Sequence, residues 1–217
     1  MKAEKTKQTV MVSSTVYGIE ELLDRIYTLL TSFGYEVWMS HKGTVPVFSN
    51  RTAFQNCLEA VKHCDLFLGI ITPSYGSGQD PDDPASRSIT HQELLRAIEL
   101  NKPRWILAHE HVVFARTLLN NLGFKGKSGR EQLNLDRNQV FTDLRIIDLY
   151  EEATIDLEAP DTVPLAERQG NWVQKFRTSS DASIFVTAQF FRYQEVEAFI
   201  RENFKQVGSV TDKGGDA

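Results

Sequence analysis

Residues 65–72 read DLFLGIIT, a nearly continuous apolar run that closes on a hydroxyl. A run this short with no polar face fits a central strand covered on both sides, and such strands belong to parallel sheets with helices above and below. The flanking chain must then supply helices, and it does. Gly18–Phe33 carries Ile19, Leu22, Leu23, Ile26, Leu29 and Leu30 on one helical face, and Gly34 stops it. Arg51–His63 repeats the spacing through Phe54, Cys57, Leu58 and Val61. The stretch SRSITHQELLRAIELNKP, residues 86–103, gives a third amphipathic helix, with Ile89, Leu94, Leu95, Ala97, Ile98 and Leu100 on its apolar side.

Between these helices lie further strand patterns: Gln8–Ser14 (QTVMVSS), Tyr35–Ser40 (YEVWMS) and Arg104–Ala108 (RWILA). Strands alternating with helices of this length imply right-handed crossovers and one parallel sheet. The expected fold class is therefore α/β, a parallel sheet of about five strands with helices on both faces, plus a C-terminal α+β extension. His111–Leu122 reads as a helix, FKGKSGREQLNLDR (124–137) as a mobile basic loop, and Leu144–Tyr150 (LRIIDLY) as the fifth strand. Residues 151–170 read as an acidic, Pro-containing linker, and NWVQKFR and ASIFVTAQFF as aromatic segments of open type. Tyr193–Phe204 reads as a closing helix. The expected organisation is a flexible start (1–7), an α/β domain (8–150), an extension packed on it (151–205) and a disordered tail (206–217).

Composition narrows the function classes. The net charge is −5 over 217 residues, which disfavours a general nucleic-acid or anionic-membrane binder. No apolar run is long enough to span a bilayer, and MKAEKTKQ has no signal-peptide core, so the chain reads as cytosolic. Cys57 and Cys64 lie two helical turns apart, beyond disulfide reach, and read as buried thiols. The HEH triplet at 109–111 lacks any companion ligand pattern, and its histidines read as structural or ligand-contacting, with no metal site expected. There is no GxGxxG after the first strand, no GxxxxGK[ST] and no GxSxG.

In open parallel sheets ligands bind beyond the carboxyl ends of the strands. That edge collects Ser13, Ser14 and Thr15 from the first strand, His41 after the second, and Thr72, Ser74 and Tyr75 after the third. The helix bearing Glu93 starts from the same edge. The hydroxyls suit a phosphate or ribose, the Tyr75 ring suits stacking on a base, and Glu93 falls among apolar positions where a carboxylate is partly desolvated. Each group also has a purely structural use: hydroxyls cap helices, Tyr75 covers a sheet edge, and a glutamate in a first turn answers the helix dipole.

The segments VSSTVYG, FGY, CDLFLGIITPSYGSG and SITHQELLRAIELNKP, with WVQKF and QFFRYQEVEAFI near the end, resemble a domain-of-unknown-function family of TIR-like (Toll/interleukin receptor) architecture. Its members commonly stand at the start of larger bacterial proteins. The resemblance implies a flavodoxin- or TIR-like sheet. It aligns Ile89-Thr90-His91-Gln92-Glu93 with the Trp-Cys-x-x-Glu pattern of TIR domains, so Glu93 takes the place of their catalytic glutamate while Ile89 and Thr90 replace the Trp and Cys. It makes the loop HKGTVPVFSN, with Gly43, Val45 and Pro46, an assembly loop. Catalytic TIR domains cleave the nicotinamide–ribose bond of NAD, which implies NAD or a related nucleotide as ligand or substrate, no required cofactor, and self-association or a protein partner in bacterial signalling or defence. Nucleoside deoxyribosyltransferases, a similar α/β group, use a glutamate nucleophile in a comparable place. The alternative from another class is a non-catalytic interaction or nucleotide-sensing module.

Overall fold

The computed structural model describes residues 7–76, 78, 86–133, 140–141, 143–154, 172–193 and 195. Its centre is a five-stranded parallel sheet: β1 (Thr9–Ser14), β2 (Glu36–Trp38), β3 (Leu66–Ile71), β4 (Arg104–His109) and β5 (Val173–Phe176), in the order β2-β1-β3-β4-β5. That is the doubly wound flavodoxin-like order, with the winding direction reversing between β1 and β3. Among the described residues seven helices cover it: α1 (Glu20–Ser32), α2 (Ala53–His63), α3 (Ile89–Glu99), α4 (Glu110–Asn121), α5 (Gly126–Arg130), α6 (Arg145–Thr154) and α7 (Ser179–Phe190).

The two-residue period of the strands divides the core into two layers. Val10, Val12, Leu66, Leu68 and Ile70 pack against Leu22, Leu23, Ile26 and Leu30 of α1 and Ala182, Val186 and Phe190 of α7. Met11, Phe67, Ile71 and Ile106 face the other way, against Ala60 and Val61 of α2, Leu94 and Ala97 of α3, Val112 of α4 and Ile146 and Ile147 of α6. All six residues of β3 are buried, as the opening run requires. At the middle of β3, Gly69 leaves room for side chains of the sheet itself. A Cβ there would stand 2.9 Å from the Ile106 Cδ1 and 3.2 Å from the Phe67 ring.

Two expectations change. LRIIDLY is no strand: it lies in α6, where Ile146, Ile147, Leu149 and Ala153 form one buried helical stripe. The seven-residue window ended before Ala153, and over that length a helical stripe and a strand are hard to separate. The fifth strand is instead VQKF, paired in parallel with β4 from Ile106↔Val173 to His109↔Phe176. Residues beyond 150 thus complete the sheet and add α7 to the α1 face. Of the expected mobile basic loop 124–137, residues 124–133 are structured, and 134–137 lie outside the described residues. The structured part contains α5, whose Arg130 is 4% exposed and paired with Asp148 and Glu151 of α6. Residues 1–6, 155–171, 194 and 196–217, which include most of the expected linker, closing helix and tail, lie outside the described residues. Among the described residues no helix is long and apolar enough to cross a membrane.

Candidate functional site

The phase of β1 decides which of its terminal hydroxyls reaches the core. Ser13 shares the face of Met11, towards α2 and α3, and is 2% exposed, whereas Ser14 points the other way. Ser13 pairs with Gly69 across the strands, so a small residue and a glycine lie side by side beneath α3. Into that space projects Glu93. Its position follows from the start of α3, where the Ser88 hydroxyl accepts from the His91 N–H and sets the helix register. The Ser13 hydroxyl donates to Glu93 Oε2 at 2.5 Å, and the Cys57 thiol of α2 hydrogen-bonds to the same carboxylate.

Glu93 is 5% exposed. Burial pushes its carboxyl up to about 7, and the Ser13 and Cys57 hydrogen bonds only partly offset that. The half-buried Cys57 thiol is pushed up to about 12, first by burial and then by the neighbouring carboxylate, so it remains a thiol donor. The three side chains come from α3, β1 and α2 and meet beside the β1/β3 reversal point of the sheet.

The other rim residues fall into separate groups. Thr15 and Thr72, 8% and 2% exposed, share a 2.7 Å hydroxyl–hydroxyl bond, and Thr15 also donates to the Ser74 carbonyl at 2.9 Å. Together they pin the start of the β3–α3 connection against the end of β1, and Ser74 enters this clasp through its backbone. Ser14 is half-buried and donates to the Thr15 carbonyl at 2.9 Å. His41 stands apart, in a 3-10 turn (Ser40–Lys42) after β2, where it lies 3.5 Å from Asp24 of α1. Of the expected assembly loop, Gly43 and Pro46 are exposed and Val45 is buried in the core.

Tyr75 does not offer its ring at the rim. It is 1% exposed, with the Arg145 guanidinium 4.7 Å above the ring and His91 against its edge. Its hydroxyl lies 2.7 Å from His91 Nδ1, and His91 Nε2 lies 2.7 Å from Glu152 of α6. The tautomer with its proton on Nε2 satisfies the chain: Tyr75 donates to Nδ1, Nε2–H donates to Glu152, and the Ser88 N–H donates to the Tyr75 oxygen at 3.3 Å. His91 and Glu93 are two positions apart, hence on opposite flanks of α3. Tyr75→Phe removes one oxygen that serves two buried partners and should cost about 1–3 kcal/mol, read as a lower urea midpoint with an unchanged m-value.

Sequence reasoning missed two side chains here. Cys57 carried a helical-face signal but nothing to link it with Glu93. Tyr17, three residues after Ser14, is the aromatic ring that the rim does expose, at 83%. Its signal was local: an aromatic followed by Gly18 in a strand-to-helix turn.

Among the described residues no group of three His, Cys, Asp or Glu is arranged to hold a metal ion. His109 Nδ1 accepts from the His111 N–H at 3.2 Å, capping α4, and His91 is engaged elsewhere.

No curated protein matches the chain. Among solved structures it is similar to the TIR domains of the activated Roq1 resistosome that recognises the pathogen effector XopQ, with 13% identity, coverage of 67% of this chain and 82% of that one, and a TM-score of 0.42. It is similar also to the CMP N-glycosidase BcmB of Clostridium botulinum, with 15% identity, 83% and 99% coverage and a TM-score of 0.38. A third is a 2-deoxyribosyltransferase of Bacillus psychrosaccharolyticus, with 22% identity, 46% and 72% coverage and a TM-score of 0.31. The pattern of one protein family spans residues 9–204, and the chain belongs to that family, the domain of unknown function DUF4062.

Proposed function

We propose that the protein binds a nucleotide of the NAD type and hydrolyses its N-glycosidic bond, with Glu93 as the central carboxylate. One observation carries the reading: a buried carboxyl held by Ser13 and pushed up by burial, beside the reversal point where sheets of this order take their ligands. Breaking the C1′–N bond of a pyridinium riboside releases a neutral pyridine and leaves an oxocarbenium-like sugar. An ionised Glu93 stabilises that positive charge and then accepts a proton from the water that adds to C1′. The products are the ribose-bearing remainder, the free pyridine and one proton. Ser13 fixes the carboxylate, while Ser14 and Ser74 supply the rim for ribose or phosphate. The ligand must part the Ser13–Glu93–Cys57 contacts to reach the carboxylate.

The test is free nicotinamide released from NAD by the purified protein over a range of protein concentrations. Glu93→Gln is expected to lower turnover at least about 100-fold. Equal turnover by the Gln variant would remove Glu93 from the reaction. The second reading, a non-catalytic interaction module, is favoured by the loop after β2, where Val47 and Phe48 are 75% and 49% exposed. It predicts nucleotide binding or self-association without any nicotinamide release.

A further inference from the structure

The β1–α1 connection is a tight turn. The Ile19 N–H donates to the Val16 carbonyl at 3.2 Å, Gly18 has φ +83°, and Tyr17 has an ordinary negative φ. This is a type II turn with Tyr17 at its first central position and glycine at the second, where positive φ is required. Val16 anchors one side by packing on the α1-side core, and Ile19 anchors the other. The turn therefore holds the Tyr17 ring outward at the carboxyl end of β1, four residues from Ser13. An aromatic ring left 83% exposed on a hydrogen-bonded turn has its face free for a ligand.

Its surroundings select the charge of that ligand. Glu20 and Glu21 open α1 directly after the turn, and both are exposed. Glu21 is paired with Arg25 at 3.1 Å, whereas no ion pair engages Glu20 among the described residues. One turn further along α1, Asp24 takes both Lys42 and His41. Two carboxylates in the first turn also oppose a phosphate at this helix start. The ring and the free carboxylate together suit a flat cation.

We propose that Tyr17 and Glu20 form a receptor for a positively charged aromatic ring, an N-ribosylpyridinium, so that the oxidised dinucleotide binds in preference to its reduced, uncharged-ring form. This rests on the proposed NAD-type ligand and assigns the end of that ligand which the rim recognises. Tyr17 is a specificity residue here, and Glu93 remains the reacting group.

Titration calorimetry of the Glu93→Gln protein with NAD and with NADH tests it without interference from turnover. NAD is expected to bind about tenfold more tightly than NADH. Tyr17→Ala in the same background should weaken NAD binding about tenfold and bring the two affinities together, while Tyr17→Phe keeps the preference. Glu20→Gln should weaken NAD a few-fold and leave NADH unchanged. Equal affinity for the two forms, or a Tyr17→Ala loss shared equally by both, overturns the receptor while leaving the nucleotide reading intact. Binding of neither form overturns both.

Discussion

Glu93→Gln should melt about 5–10 °C above the unaltered protein at pH 8, and at the same temperature as it near pH 4. The sign follows from proton linkage. An unfolded glutamate titrates near 4.5, whereas burial holds the folded Glu93 up at about 7. Between those values the folded protein binds the extra proton, so its stability falls as pH rises and levels off above about 7. The full loss is about 3 kcal/mol, and a neutral amide at position 93 avoids it. Melts followed by circular dichroism at half-unit pH steps would show this directly. Parallel profiles for the two proteins between pH 4 and 8 would mean that Glu93 is not the group strained by burial. Since the same substitution is expected to abolish turnover, stability and activity should move in opposite directions. A carboxyl kept only for packing would leave no such opposition.

Arg130→Ala should destabilise the protein by about 3–5 kcal/mol, the usual cost of removing one partner from a buried ion pair. Arg130 is 4% exposed, and its Nη2 donates both to Asp148 and, at 2.7 Å, to Glu151 of α6. Glu151 keeps Arg116 at 3.1 Å, but Asp148 loses its ion-pair partner inside a largely buried setting. Urea unfolding reads the loss. The double change Arg130→Met and Asp148→Asn should recover most of it, because Asp148 then carries no charge and Glu151 keeps Arg116. A loss below about 1 kcal/mol for the single variant would place the arginine in solvent-like surroundings.

The first four strands and the helices between them were legible because the short apolar runs alternate with helices of clear period, and each helix fixes the strand beside it. Residues 144–150 and 173–176 were not, since seven and four residues fit more than one element. The same limit explains the basic stretch around 126–130: its composition suggests a solvated loop, and only a helix 15 residues further on turns Arg130 into a buried partner. At the rim, Glu93 was legible from its place on an apolar stripe, and Ser13 from the rule about strand ends. What the sequence leaves undecided is which way each rim side chain faces. One residue of phase separates Ser13, inside, from Ser14, half outside. The Tyr75 hydroxyl is drawn inward by His91 and Glu152, and the latter lies 61 residues beyond His91. Tyr17, with no such partner among the described residues, stays out.

The late position of β5 has a consequence for synthesis. Its partner in the sheet, Ile106, precedes Val173 by 67 residues. At about 5–20 residues per second a ribosome needs roughly 3–13 seconds to make that interval. Throughout it the outer edge of β4 has no neighbour, although Ile106, Leu107 and Ala108 end up entirely covered. The α7 residues that cover Leu107 emerge later still. The nascent chain thus carries a sticky sheet margin for seconds, and a folding helper acting on this protein would do most good during the interval between the fourth strand and the fifth.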